Sequence, residues 1–186
     1  MNKSLRLKVI SSLILQLGIT LVLSSCQQLD RAESESTQVN QNTQREIKLV
    51  IENYIQTEKF IKDFFSWTSI NGKVFCSYHY LGADQKNKNT INAYLWLLCD
   101  EYNSKLKTGS GTRVPIVTML KKQVNNYQVI DHRYPGNGSF YQQDIKKLFP
   151  ADIRSQIFRF NSEQPKIINN LNRENIRKAE AYFNKM

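Results

Sequence analysis

Two runs rich in aromatic and β-branched residues, 73–81 (KVFCSYHYL) and 91–102 (INAYLWLLCDEY), stand on either side of the polar stretch ADQKNKN, and each carries one cysteine. Runs of this composition joined by a polar connection form a β-hairpin, which commits the surrounding chain to building on an antiparallel sheet. With the turn centred between Asn87 and Lys88, Phe75 faces Asp100, Cys76 faces Cys99, His79 faces Trp96 and Leu81 faces Tyr94. Directly opposed residues hold their Cβ atoms about 4.5–5.5 Å apart, close enough for a Cys76–Cys99 disulfide in an oxidising compartment. Two buried free thiols, behaving as small hydrophobes, are the other reading.

The flanking sequence supplies the remaining elements. Residues 45–65 place Ile47, Val50, Ile51, Tyr54, Ile55, Ile61, Phe64 and Phe65 at spacings of three and four, which predicts one helix with a buried stripe, opened by Thr43 and Glu46 as a capping box. After a flexible link at 107–111, residues 114–121 and 127–134 read as a third and a fourth strand, with Pro115 confined to a strand start or an edge. Ser139 and Gln142 resemble a second capping box, leading into a short helix with Ile145, Leu148 and Phe149 that Pro150 stops. Residues 152–160 add a helical turn or two, and Asn172 caps a last helix burying Ile176, Ala179, Tyr182 and Phe183. The expected class is α+β: an N-terminal helix packed on a curved four-stranded antiparallel sheet, followed by C-terminal helices. This element order resembles cystatin-like and NTF2-like folds, a likeness of architecture that transfers no function.

The N-terminus addresses the compartment. Lys3, Arg6 and Lys8 precede an apolar run from Val9 to Leu23, the layout of a secretory signal. The run is short and interrupted by Ser11, Ser12, Gln16, Gly18 and Thr20, unlike a membrane span of about 20 apolar residues. It ends in Leu23-Ser24-Ser25-Cys26, which resembles the lipobox of bacterial lipoproteins. The resemblance implies a signal peptide over residues 1–25, cleavage before Cys26 and acylation of that cysteine, so that the chain is anchored to a membrane on its extracytoplasmic side. An uncleaved anchor with an incidental cysteine is the alternative. Each buried methylene contributes about 0.8 kcal/mol, so two or more acyl chains hold durably where one does not. Gln27 in place of an aspartate leans toward the outer membrane where the cell has one. Residues 27–43 contain only Leu29, Ala32 and Val39 as apolar groups, too few to offset the entropy of ordering, so 26–43 is expected to be the lipidated cysteine and a disordered tether, and 44–186 a single α+β domain.

Removal of Lys3, Arg6 and Lys8 takes the formal charge from +10 to +7. A basic anchored domain is drawn to an anionic surface or an acidic protein partner, and export argues against nucleic acid. Lys121, Lys122, Arg133, Lys146 and Lys147 form a candidate basic patch around the last hairpin, or else a solvated face. Tyr78, Tyr80, Tyr94 and Trp96 are candidates for an aromatic pocket on the curved sheet, with core packing as the plainer role. His79 and His132 lack ligand-pair spacing, and Asp131 next to His132 points to the opposite face of a strand. No nucleophile elbow is present: Gly109-Ser110-Gly111 lacks the outer frame, and Gly136-Asn137-Gly138 is a lone G-x-G. No catalytic set, metal site or cofactor is expected. The leading expectation is a lipid-anchored binding module of the bacterial cell envelope; the alternative is a small hydrolase-like enzyme with a site in the sheet concavity.

Overall fold

The computed structural model describes residues 39–65, 68–69 and 71–185. The expected signal peptide, the lipobox-like Leu23–Cys26 and the expected tether up to residue 38 lie outside them. The described chain is α+β: a four-stranded antiparallel sheet of order β1-β2-β3-β4, two helices before it and three after. The strands are β1 (Lys73–Asn87), β2 (Thr90–Tyr102), β3 (Thr108–Lys122) and β4 (Tyr127–Arg133).

The N-terminal helical region is two helices, α1 (Gln41–Tyr54) and α2 (Glu58–Phe64), where the apolar periodicity predicts one. Thr57 causes the break. Its side chain accepts from the Phe60 N–H as the N-cap of α2 while its hydroxyl donates to Tyr54 O, so it closes one helix and opens the next. The first cap is Asn40, whose Oδ1 accepts from Thr43 N–H at 2.9 Å, in place of the expected Thr43 box. Val39 is buried and α1 starts at Gln41, so residues 39–43 belong to the folded part.

The first hairpin is longer than its apolar runs. β1 continues through the polar stretch to Asn87, and the register pairs Phe75 with Asp100, Cys76 with Cys99 and His79 with Trp96. Beyond Tyr80 it shifts: Gly82, not Leu81, lies opposite Tyr94. Leu81 is the extra residue of a bulge, and Gly82 beside it takes φ +153°, a backbone state that L side chains rarely adopt. Thr108–Gly111, expected as a flexible link, is the start of β3. Pro115 lies opposite Trp96, and β4 pairs with β3 only from Val117, so the proline's missing donor falls on an open edge.

Both faces of the sheet are covered. Ile47, Ile51, Ile55 and Phe60 of α1, α2 and their junction pack on Val74, Cys76, Leu95, Leu97, Cys99, Ile116 and Leu120. The other face meets α3 (Tyr141–Leu148), α4 (Ala151–Glu163) and α5 (Pro165–Phe183). Trp96 stacks on Phe160 at 4.7 Å, and Tyr94 meets Phe149 at 5.8 Å. The helix entering at residue 138 starts with a 3-10 turn, Gly138–Phe140, without a side-chain cap from Ser139. α5 begins at Pro165, seven residues earlier than the expected Asn172 cap, because proline suits the first turn of a helix. Its buried side is Leu171, Asn175 and Ala179; Ile176 and Tyr182, expected inside, are exposed.

Candidate functional site

A polar cleft lies along the outer edge of β1. This cleft of about 530 Å³ has Ser77, Tyr78, His79 and Tyr80 as its floor, Lys48 and Glu52 of α1 on one wall, and Asn170, Leu171 and Glu174 of α5 on the other. Its ends are closed by side chains bound to the strand. At one end Cys76 O accepts from Gln56 Nε2 and from Lys178 Nζ, each at 2.7 Å. Lys178 Nζ also pairs with Glu52 Oε1 at 2.5 Å and reaches Ser77 Oγ at 3.3 Å, tying α5 to α1 across the strand. At the other end Leu81 O accepts from Gln156 Nε2 at 3.3 Å.

The carbonyl of Cys76 therefore points away from β2. In an antiparallel ladder the N–H and C=O of one residue share a side, and the side alternates along the strand. Tyr78 and Tyr80 consequently turn their backbone donors and acceptors into the cleft. Their side chains lie toward α1: Tyr78 Oη donates to Lys48 O at 2.9 Å, and Lys48 Nζ sits 4.5 Å above the Tyr80 ring. Burial pushes the Tyr78 phenol well above its usual range and that of Tyr80 up to about 12, so both stay protonated. On the opposite face His79 packs against Phe160 of α4, and burial, helped by Lys48, lowers its pKa.

The four aromatic candidates do not form one pocket. Tyr78 and Tyr80 face α1, while Tyr94 and Trp96 lie on the opposite face, almost fully buried against the C-terminal helices. Both faces of the sheet carry buried apolar clusters. The basic candidates are also dispersed. Lys121 and Lys122 lie opposite Gln128 and Tyr127 at the turn end of the last hairpin, whereas Arg133 lies opposite Val117 at its far end and pairs with Asp131 at 3.0 Å. Lys146 and Lys147 belong to the last turn of α3, where Lys147 approaches Asp144 at 3.8 Å.

His132 is held by residues remote in sequence. Its Nδ1 is 2.8 Å from Tyr54 Oη and its Nε2 is 3.4 Å from Asp63 Oδ2, with Phe60 and Phe64 against the ring. The arrangement has the outline of a base between a hydroxyl and a carboxylate. Burial, reinforced by Asp63 and Asp131, raises the Tyr54 pKa and keeps the hydroxyl a poor nucleophile, so the chain acts as a clamp from β4 to α1 and α2. Cys76 and Cys99, fully buried under α1, are joined at Sγ–Sγ 2.06 Å with Cα atoms 4.1 Å apart.

Among the described residues no group of His, Cys, Asp and Glu could hold a metal ion, and no helix is long and apolar enough to cross a membrane. Comparison with protein-family models, with curated proteins and with solved structures finds no match to this chain.

Proposed function

We propose that this chain is a bacterial lipoprotein whose α+β domain, acylated at Cys26, works as a partner-binding module on the extracytoplasmic side of a membrane. The lipobox Leu23-Ser24-Ser25-Cys26 behind a basic, apolar leader supports the anchor. One observation carries the binding role: the sheet faces are filled with side chains, while the edge of β1 presents open backbone in a cleft. A catalytic site needs a nucleophile and a base facing free space, and His132 instead joins a raised-pKa phenol to a carboxylate inside packed rings. The charge of +7 left after processing favours an anionic partner or surface.

Intact mass and N-terminal sequencing of the membrane-extracted protein test the anchor. The expected product begins at Cys26 and carries acyl chains, and Cys26→Ala leaves an exported, unacylated precursor. A mature chain beginning elsewhere, or bearing no acyl group, removes the localisation and with it the case for an envelope partner.

A further inference from the structure

On that reading of the chain as a binding module, we infer that the outer edge of β1 at Ser77–Tyr80 takes an extended peptide segment of a partner, added to the sheet as a short fifth strand, with an acidic side chain of that segment set against Lys48 and Arg45. Sheet edges left open are liabilities that proteins cover, charge or shorten. Here the coverage is selective. Gln56 and Lys178 occupy the carbonyl of Cys76, Gln156 occupies that of Leu81, and among the described residues no side chain caps the backbone of Tyr78 and Tyr80 between them. The uncapped floor is four residues, about 13 Å of extended chain, which suits a short peptide strand. Strand addition draws its affinity from such main-chain groups and its selectivity from alternate side chains.

Charge chooses among the possible strands. Along the α1 wall, Lys48 rests over the Tyr80 ring, and Arg45 lines the adjoining depression with Lys48, Glu52 and Tyr78. Neither cation has a carboxylate partner among the described residues. Glu52 is paired with Lys178, and on the α5 wall Glu174 is paired with Arg177. A strand bearing an aspartate or glutamate on its α1 side therefore meets Lys48 in the cleft and Arg45 in the adjoining depression, both without a carboxylate partner among the described residues. A second copy of the domain is the poorer occupant, because its own β1 edge is recessed between α1 and α5.

The test uses the mature acylated chain in nanodiscs and a phage library of random heptapeptides, followed by a synthetic peptide of the enriched sequence. The expected peptides are β-branched, carry at least one acidic residue and lack proline at their centre. Binding should fall about tenfold or more in Tyr78→Pro, which removes an outward N–H without touching the ladder to β2, and severalfold in Lys48→Glu. If Tyr78→Pro does not fold, amide exchange in the wild-type chain decides: the N–H groups of Tyr78 and Tyr80 should exchange freely alone and slow with peptide. No enriched peptide family, equal binding to a folded Tyr78→Pro variant, or unprotected Tyr78 and Tyr80 amides would overturn the site. Protection that appears with protein concentration and no peptide would assign the edge to a second copy and overturn the peptide. Failure of peptide binding with acylation intact removes the edge while leaving the anchored module; loss of acylation with peptide binding intact does the reverse.

Discussion

At the scale of a single residue, His132 shows how burial and charge oppose each other. Burial lowers its pKa, the carboxylates of Asp63 and Asp131 raise it, Lys59 lowers it, and the net direction is down. The tautomer follows from the neighbours: a proton on Nε2 faces Asp63, and Nδ1 accepts from the Tyr54 hydroxyl, which holds its own proton. A histidine whose folded pKa is depressed contributes stability that is present above about 6.5 and is lost as pH falls below that value, because the unfolded chain takes up the proton first. His79, also lowered, acts with the same sign. Imidazole nitrogen resonances should titrate with a midpoint below about 6.5 for His132, and Asp63→Asn should lower it further. The urea midpoint should drop between about pH 7.5 and pH 5.5, and His132→Gln should flatten part of that drop. A His132 midpoint above the free value would mean that the two carboxylates dominate and that the burial argument is wrong.

Among the elements, one buried side chain joins β2 to β3 and to the segment before β1. Glu101 of β2 accepts from the Ser69 N–H before β1 and from the Ser110 N–H at the start of β3, the latter at 3.2 Å. Its carboxylate fills the space where a Cβ on Gly72 or Gly109 would stand. Gly72→Ala should displace the carboxylate from both donors and cost about 1–3 kcal/mol, the usual penalty for leaving buried polar groups unpaired. The loss should shrink when Glu101→Ala is already present, a coupling that a double-mutant cycle in urea would read directly. Sequence revealed the strands and the Cys76–Cys99 register, because alternation and turn chemistry are local. It did not reveal the bulge at Leu81, since a strand slip depends on the glycine's packing beside Ile153. Nor did it reveal the split at Thr57, where a cap outweighed an unbroken apolar stripe. The cleft was illegible for a further reason. Which strand lies at the edge, and which of its carbonyls are capped by Gln56, Gln156 and Lys178, are tertiary facts that no spacing encodes. Aromatic residues were conspicuous in the sequence, yet Tyr94 and Trp96 serve the core, and the open groups at the site are backbone.

For the whole molecule, the bond between Cys76 and Cys99 links compartment to stability. It bridges the two longest-paired strands at the point where α1 and α5 converge through Gln56 and Lys178 on the Cys76 carbonyl. A sequence separation of 23 residues gives a chain-entropy stabilisation of about 3 kcal/mol. That is a large part of the roughly 5–15 kcal/mol typical of a domain, and it corresponds to about 10 °C of melting temperature at this size. Both sulfurs are fully buried, so a reductant should act slowly on the native protein and quickly once urea opens it. Under the proposed processing Cys26 is acylated, so thiol titration of the denatured, unreduced mature chain should find no free thiol, and two should appear after reduction. The reduced chain should keep its acyl anchor and melt about 10 °C lower. Two free thiols before reduction would remove the bridge, and with it the oxidising compartment as its physical explanation.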